Sequence, residues 1–78
     1  METIKQILEK NNASIEELIL CVEQIKEKGD VVIIKLDGGR NINHYTIMVM
    51  FSNNREMIRV DEKDLKTGLI EILKKYLE

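Results

Sequence analysis

Apolar positions recur along this chain with two periods, and the switch between them outlines the fold. Ile4, Ile7 and Leu8 keep the i, i+3, i+4 spacing of one helical face until Asn11-Asn12 interrupts it, which predicts a short first helix. Ser14-Ile15-Glu16-Glu17 then reads as a capping box, in which the Ser14 hydroxyl and the Glu17 carboxylate each take a free backbone N–H at a helix start. The second helix begins near Ile15 and carries the stripe Ile15, Leu18, Ile19, Val22 and Ile25. It runs out through Lys26 and Lys28, cations that suit the negative end of the helix dipole, and Gly29 supplies a left-handed exit.

Beyond Gly29 the period becomes two. Val31 to Leu36 is rich in β-branched residues and too short for a good helix, so it predicts the first strand. Asp37-Gly38-Gly39-Arg40-Asn41 carries turn residues that tolerate positive φ, and Tyr45 to Phe51 resumes β-type sequence. Ser52-Asn53-Asn54-Arg55 predicts a two-residue type I′ turn, because Asn accepts the left-handed conformation at both central positions, and Glu56 to Val60 supplies a third strand. Asp61 is expected to cap a final helix, with Glu62 and Asp64 in its first turn, Lys74 and Lys75 in its last, and a buried stripe of Leu65, Leu69, Ile72, Leu73 and Tyr76. Gly68 inside that helix costs ~0.5–1 kcal/mol relative to Ala, so a close approach of another backbone is one reason for it and simple tolerance the other. The order α-α-β-β-β-α gives one small α+β domain over residues 1–78, a three-stranded antiparallel meander with helices packed mainly on one face.

Register decides which residues share a face. With Asn53-Asn54 as the turn, Phe51 pairs with Glu56, Met50 with Met57, Val49 with Ile58, Met48 with Arg59 and Ile47 with Val60. Ile47, Val49, Phe51, Ile58 and Val60 form the core face, joined by Val32, Ile34 and Leu36. Val31, Ile33, Lys35, Thr46, Met48, Met50, Met57 and Arg59 fall on the other. In a simple meander that second face is solvated and polar, yet here it is apolar. Either a helix of the same chain crosses over to cover it, or it meets a partner. The exposed arrangement is the reading adopted, because contiguous apolar patches mark interaction sites and methionines are over-used on surfaces that adapt to another protein.

Composition narrows the function. A net charge of −2 with both signs mixed argues against general nucleic-acid binding, although all three arginines, Arg40, Arg55 and Arg59, fall in the middle of the chain. One cysteine, Cys21, and one histidine, His44, exclude an internal disulfide and a Cys/His zinc cluster. Cys21 lies in the second helical pattern and reads as a small buried hydrophobe. The start Met1-Glu2-Thr3-Ile4-Lys5 lacks the pattern of a secretory signal, and no apolar run reaches the ~20 residues of a membrane span, so a soluble, cytoplasmic protein is expected. Many isoleucines, lysines and asparagines beside a single alanine suggest A/T-rich coding sequence. In size, acidity and α/β make-up the chain resembles small phage or mobile-element accessory proteins, inhibitors of host defence included.

Candidate chemistry is sparse. Gly38-Gly39-Arg40 offers a possible anion cradle but does not precede a helix, so a plain turn is the simpler reading. His44 falls on the Met face with no Ser, Cys or Asp placed beside it, which makes it a surface or interface residue. Asp30 and Asp37 bracket the first strand ~20 Å apart, too far to share a metal. The chain is therefore expected to be no enzyme and to need neither cofactor nor metal. It reads as a protein–protein interaction module, or small regulatory or inhibitor protein, acting through Val31, Ile33, Met48, Met50, Met57 and Arg59. Its expected partner is another protein or a second copy of itself, with self-association as the remaining aid for so small a core and with no membrane involved. The alternative is a nucleic-acid-binding module using Lys35, Arg40, Arg55 and Arg59, which would lack the aromatic platforms of sheet-based RNA binders.

Overall fold

The computed structural model describes residues 3–78; Met1 and Glu2, which open the stretch read above for a secretory signal, lie outside the described residues. Its elements are α1 (Ile4–Leu8), α2 (Ile15–Glu27), β1 (Val31–Leu36), β2 (Tyr45–Met50), β3 (Ile58–Glu62) and α3 (Leu65–Leu77). Side chains account for each helix start. Thr3 and Gln6 form a capping box at α1, and Ser14 and Glu17 form the expected one at α2. Gly29, at φ 90°, supplies the left-handed exit from α2. The third start differs from expectation: Asp64, not Asp61, caps α3 and accepts from the backbone N–H groups of Lys66 and Thr67. Asp61 stays in β3, where two arginines claim its carboxylate.

The sheet is antiparallel with order β1-β2-β3. Ile47 pairs with Val60, Met48 with Arg59 and Val49 with Ile58, as the alternation of apolar residues requires, and β1 joins with Val32 opposite Val49 and Ile34 opposite Ile47. The ladder ends sooner than expected. It stops at Val49 and Ile58, so Met57 lies one residue before β3 and does not pair with Met50, which sits opposite Val31 instead. Nor do Asn53 and Asn54 form a type I′ turn, since among the described residues Asn43 alone of the non-glycine residues has positive φ.

A longer connection replaces that turn because its side chains are drawn to the helix layer. Arg55 donates to the Tyr76 and Lys75 carbonyl oxygens at the end of α3 at 3.0 and 2.8 Å, the latter shared with the Glu78 N–H, and its guanidinium lies 4.4 Å from the Phe51 ring centroid. Phe51 stacks on Tyr76 at 5.8 Å, and the Tyr76 hydroxyl donates to Asp30, which also accepts from the Ser52 backbone. Burial and the nearby Asp30 charge push the Tyr76 phenol above its ordinary pKa. The cluster ties the β2–β3 connection to α3 and to the start of β1.

One core lies between the sheet and the helices. Leu18, Cys21 and Ile25 of α2, Leu69, Ile72 and Leu73 of α3, and Ile47, Val49 and Val60 of the sheet are buried in it. α3 packs on β2 and β3, α2 packs on β1, and α1 packs on both long helices and on no strand. The shortest Cα dimension, 18 Å, has room for one sheet and one helix layer ~10 Å apart, with none for a second helix layer beyond the sheet. Leu36, expected in the core, is 65% exposed, because it ends an edge strand with a neighbour on one side only.

Gly68 shows why α3 can sit so near. A Cβ there would stand 3.1 Å from Ile47 Cδ1 and 3.6 Å from Glu62 Cβ, so the close neighbour is the Ile47 side chain and not another backbone. Gly68→Val is expected to destabilise the domain by ~1–3 kcal/mol through overpacking, read as a lower urea midpoint. An unchanged midpoint would show that this contact has slack.

Candidate functional site

The face of the sheet turned away from the helices is divided lengthwise. At one end lie Val31 and Met50, then Ile33 and Met48 with Arg59; at the other lie Lys35, Thr46 and Asp61 in register across the strands. Alternation along β-branched and methionine-rich strands produces this arrangement, since every second residue must point away from the core.

The polar end is closed by the β1–β2 connection. Gly39 N donates to Asp37 Oδ1 at 3.0 Å and Arg40 N to the Asp37 carbonyl oxygen, a plain Asx-type turn. Neither glycine there has positive φ, so no backbone nest forms, and the left-handed residue is Asn43. The turn folds Arg40 over the sheet, where one Nη donates to the Asn43 carbonyl, the Thr46 hydroxyl and Asp61 Oδ1 at 3.2, 3.0 and 3.1 Å. Thr46 donates in turn to Asp61. Arg59 completes the group with a two-pronged contact, Nε to Oδ2 at 3.1 Å and Nη2 to Oδ1 at 3.2 Å. Thr46 is thereby 2% exposed on a face that no helix covers. Donation from Arg59, Thr46 and Arg40 holds the Asp61 carboxyl well below the usual carboxylate range.

The apolar end has no such cover. Val31 is 51% exposed, Ile33 36%, Met50 40% and Met57 50%, with Met48 half-buried between them. Of the six residues expected to meet a partner, Val31, Ile33, Met48, Met50 and Arg59 lie together on the strands, and Met57 immediately precedes β3. Of the four basic residues of the alternative reading, Lys35, Arg40 and Arg59 lie at the polar end, each against a carboxylate. Lys35 pairs with Asp37 at 3.4 Å, and Arg40 and Arg59 share Asp61. Arg55 lies away from them at the end of α3. His44 is exposed, with its carbonyl accepting from Asp37 N, beside a shallow cavity of about 470 Å³ lined by Asn41, Ile42, Asn43 and Lys63. Cys21 is buried.

Two features escaped sequence reasoning although a signal existed for one. The register that sets Met48 opposite Arg59 also sets Thr46 opposite Asp61, so the polar end was readable once Asp61 was kept in the strand. Arg40 folding back from a loop has no local signature.

The fold and face define an open-faced α+β sheet protein, one side of its sheet covered by helices and the other part apolar, part ionic. Comparison with protein-family models, with curated proteins and with solved structures gives no match. Among the described residues no helix is long and apolar enough to cross a membrane, and no three His, Cys, Asp or Glu side chains are grouped to hold a metal.

The ionic end has a testable pH signature. Because the Asp61 pKa is lower folded than unfolded, its contribution to stability is present above ~3.9, the ordinary Asp value, and is lost as pH falls below that. Asp61→Asn is therefore expected to lower Tm at pH 7, by a gap that holds down to about pH 4 and narrows below it. A gap that widens on acidification would contradict this assignment.

Proposed function

We propose that this chain is a non-enzymatic protein–protein interaction module that docks a partner protein on the apolar end of its open sheet face. The observation that carries the reading is the exposure of Val31, Ile33 and Met50, which the register sets around half-buried Met48, with exposed Met57 just before β3. A small domain that leaves this much apolar surface uncovered has a use for it, because such patches otherwise invite aggregation. Methionine side chains, unbranched and polarizable, suit a surface that must fit another protein's side chains. Arg59 borders the patch and offers its exposed guanidinium edge as a polar rim contact while keeping Asp61 as its anchor.

A regulatory or inhibitory role fits the same arrangement, since an exposed apolar face acts by occupying a partner's surface. Nucleic-acid binding finds less support. The charges of Lys35, Arg40 and Arg59 are opposed by Asp37 and Asp61, and the face carries no aromatic side chain on which a base could stack.

The double variant Met50→Glu, Met57→Lys tests the reading. Both side chains are exposed, so the variant is expected to keep its stability to within ~0.5 kcal/mol and to lose the proteins that the wild-type chain retains in affinity capture. Unfolding of the variant would mean that the face is core, and an unchanged set of partners would mean that binding lies elsewhere. Either result sinks the proposal.

A further inference from the structure

We propose that two copies of this chain associate edge to edge through β1, in an antiparallel two-fold pairing centred on Ile34 that joins their sheets into one of six strands. The inference rests on the backbone of β1 and stands apart from the docking role of the Met face.

Hydrogen-bond parity identifies which groups are free. Asp37 N donates to the His44 carbonyl at 2.7 Å, and this pair continues the β1–β2 register one step beyond Leu36 and Tyr45. In an antiparallel ladder such a bonded pair recurs at every second residue. Val31, Ile33 and Lys35 therefore turn their N–H and C=O groups toward β2. Val32, Ile34 and Leu36 turn theirs outward, along an edge with which no other described element pairs. Six residues of mainly β-branched sequence without proline make this a flat template for another strand.

The opposite edge is built differently. By the same parity the outward residues of β3 are Arg59 and Asp61, whose side chains are locked in an ion pair, and charged residues of this kind are how natural sheets discourage pairing. β1 has one charge, Lys35, and its backbone faces inward.

A second copy is the occupant that fits, because the edge is complementary to itself. Pairing centred on Ile34 sets Ile34 opposite Ile34 and Val32 opposite Leu36 of the second copy, so all three outward residues of each strand are bonded, about six hydrogen bonds in all. Leu36, the residue that its own domain leaves 65% exposed, gains Val32 as a neighbour. On the other face Ile33 meets the aliphatic stem of Lys35. Parity also allows centres on Ile33 and on Lys35, but each carries an outward residue past the end of the partner strand: the first sets Leu36 against Asp30, whose carboxylate already accepts from Ser52 and Tyr76, and the second sets Val32 against Gly38 and Lys35 against Lys35. The Ile34 register alone keeps all three outward residues of each strand paired within β1, while on the open face it sets Val31 against Asp37. Because the two β1 strands run in opposite directions, the apolar ends of the two open faces lie at opposite ends of the six-stranded sheet.

Sedimentation over a concentration series, with amide hydrogen exchange followed by NMR, tests the pairing. The wild-type chain is expected to dimerise, and the Val32, Ile34 and Leu36 amides to slow by at least about tenfold as dimer forms, while those of Ile33 and Lys35 are protected throughout. Leu36→Pro removes an outward N–H at an exposed position and leaves the donors to β2 intact, so it is expected to give a folded monomer. The Met50→Glu, Met57→Lys variant remains dimeric, which separates this proposal from the docking role. A wild-type monomer at the highest concentration, a dimer whose Val32, Ile34 and Leu36 amides still exchange freely, or a folded Leu36→Pro dimer would each overturn it. The exchange measurement decides alone should Leu36→Pro fail to fold.

Discussion

Gly68 lets α3 lie directly on Ile47, and the rest of the molecule follows from how that helix occupies the sheet. Three strands ~4.8 Å apart make a ribbon that two helices ~10 Å across cover completely. α3 takes β2 and β3, α2 takes β1, and α1 is left to pack on the helices. Each of the long helices brings three fully buried apolar residues to the same side, so the hydrophobic contribution is concentrated there. No helix remains in the described chain to cover the opposite face.

That opposite face is not uniform, and the reason lies in the connections at its two ends. The β1–β2 connection turns inward and lays Arg40 across Thr46 and Asp61, where three hydrogen-bonding partners satisfy a carboxylate that would otherwise call for solvent. The β2–β3 connection turns the other way, toward the helices, because Arg55 finds carbonyl acceptors at the end of α3 and Phe51 finds the Tyr76 ring. It therefore leaves Met50 and Met57 bare. One loop seals the polar end and the other leaves Val31, Ile33, Met50 and Met57 exposed at the apolar end.

Much of this was legible in the chain. Alternation fixed the pairing of Ile47 with Val60 and Val49 with Ile58, since a slip of one residue would turn every buried side chain to the wrong face. The Ser14 and Glu17 cap and the Gly29 exit depend on residues within one helical turn and were equally readable. Long-range contacts were not. Asn53-Asn54 has the composition of a type I′ turn, but Arg55 and Phe51 have tertiary partners twenty or more residues away that outweigh the local preference. Asp61 reads as the cap of α3 from sequence, but arginines on β3 and in a distant loop hold it in the strand, and Asp64 caps the helix instead. Arg55 was grouped with Arg40 and Arg59 by composition, whereas the connection carries it to the helix side.

The isolated chain presents its Met face to solvent, with or without a second copy along β1. Oxidation of the methionines by dilute peroxide, followed by peptide mass spectrometry, measures this directly, because sulfoxide forms only where the thioether is accessible. The account requires Met50 and Met57 to oxidise at nearly the rate of methionine in unfolded peptide, and half-buried Met48 to lag behind them. Protection of Met50 and Met57 to the level of a buried side chain in the folded protein would contradict it.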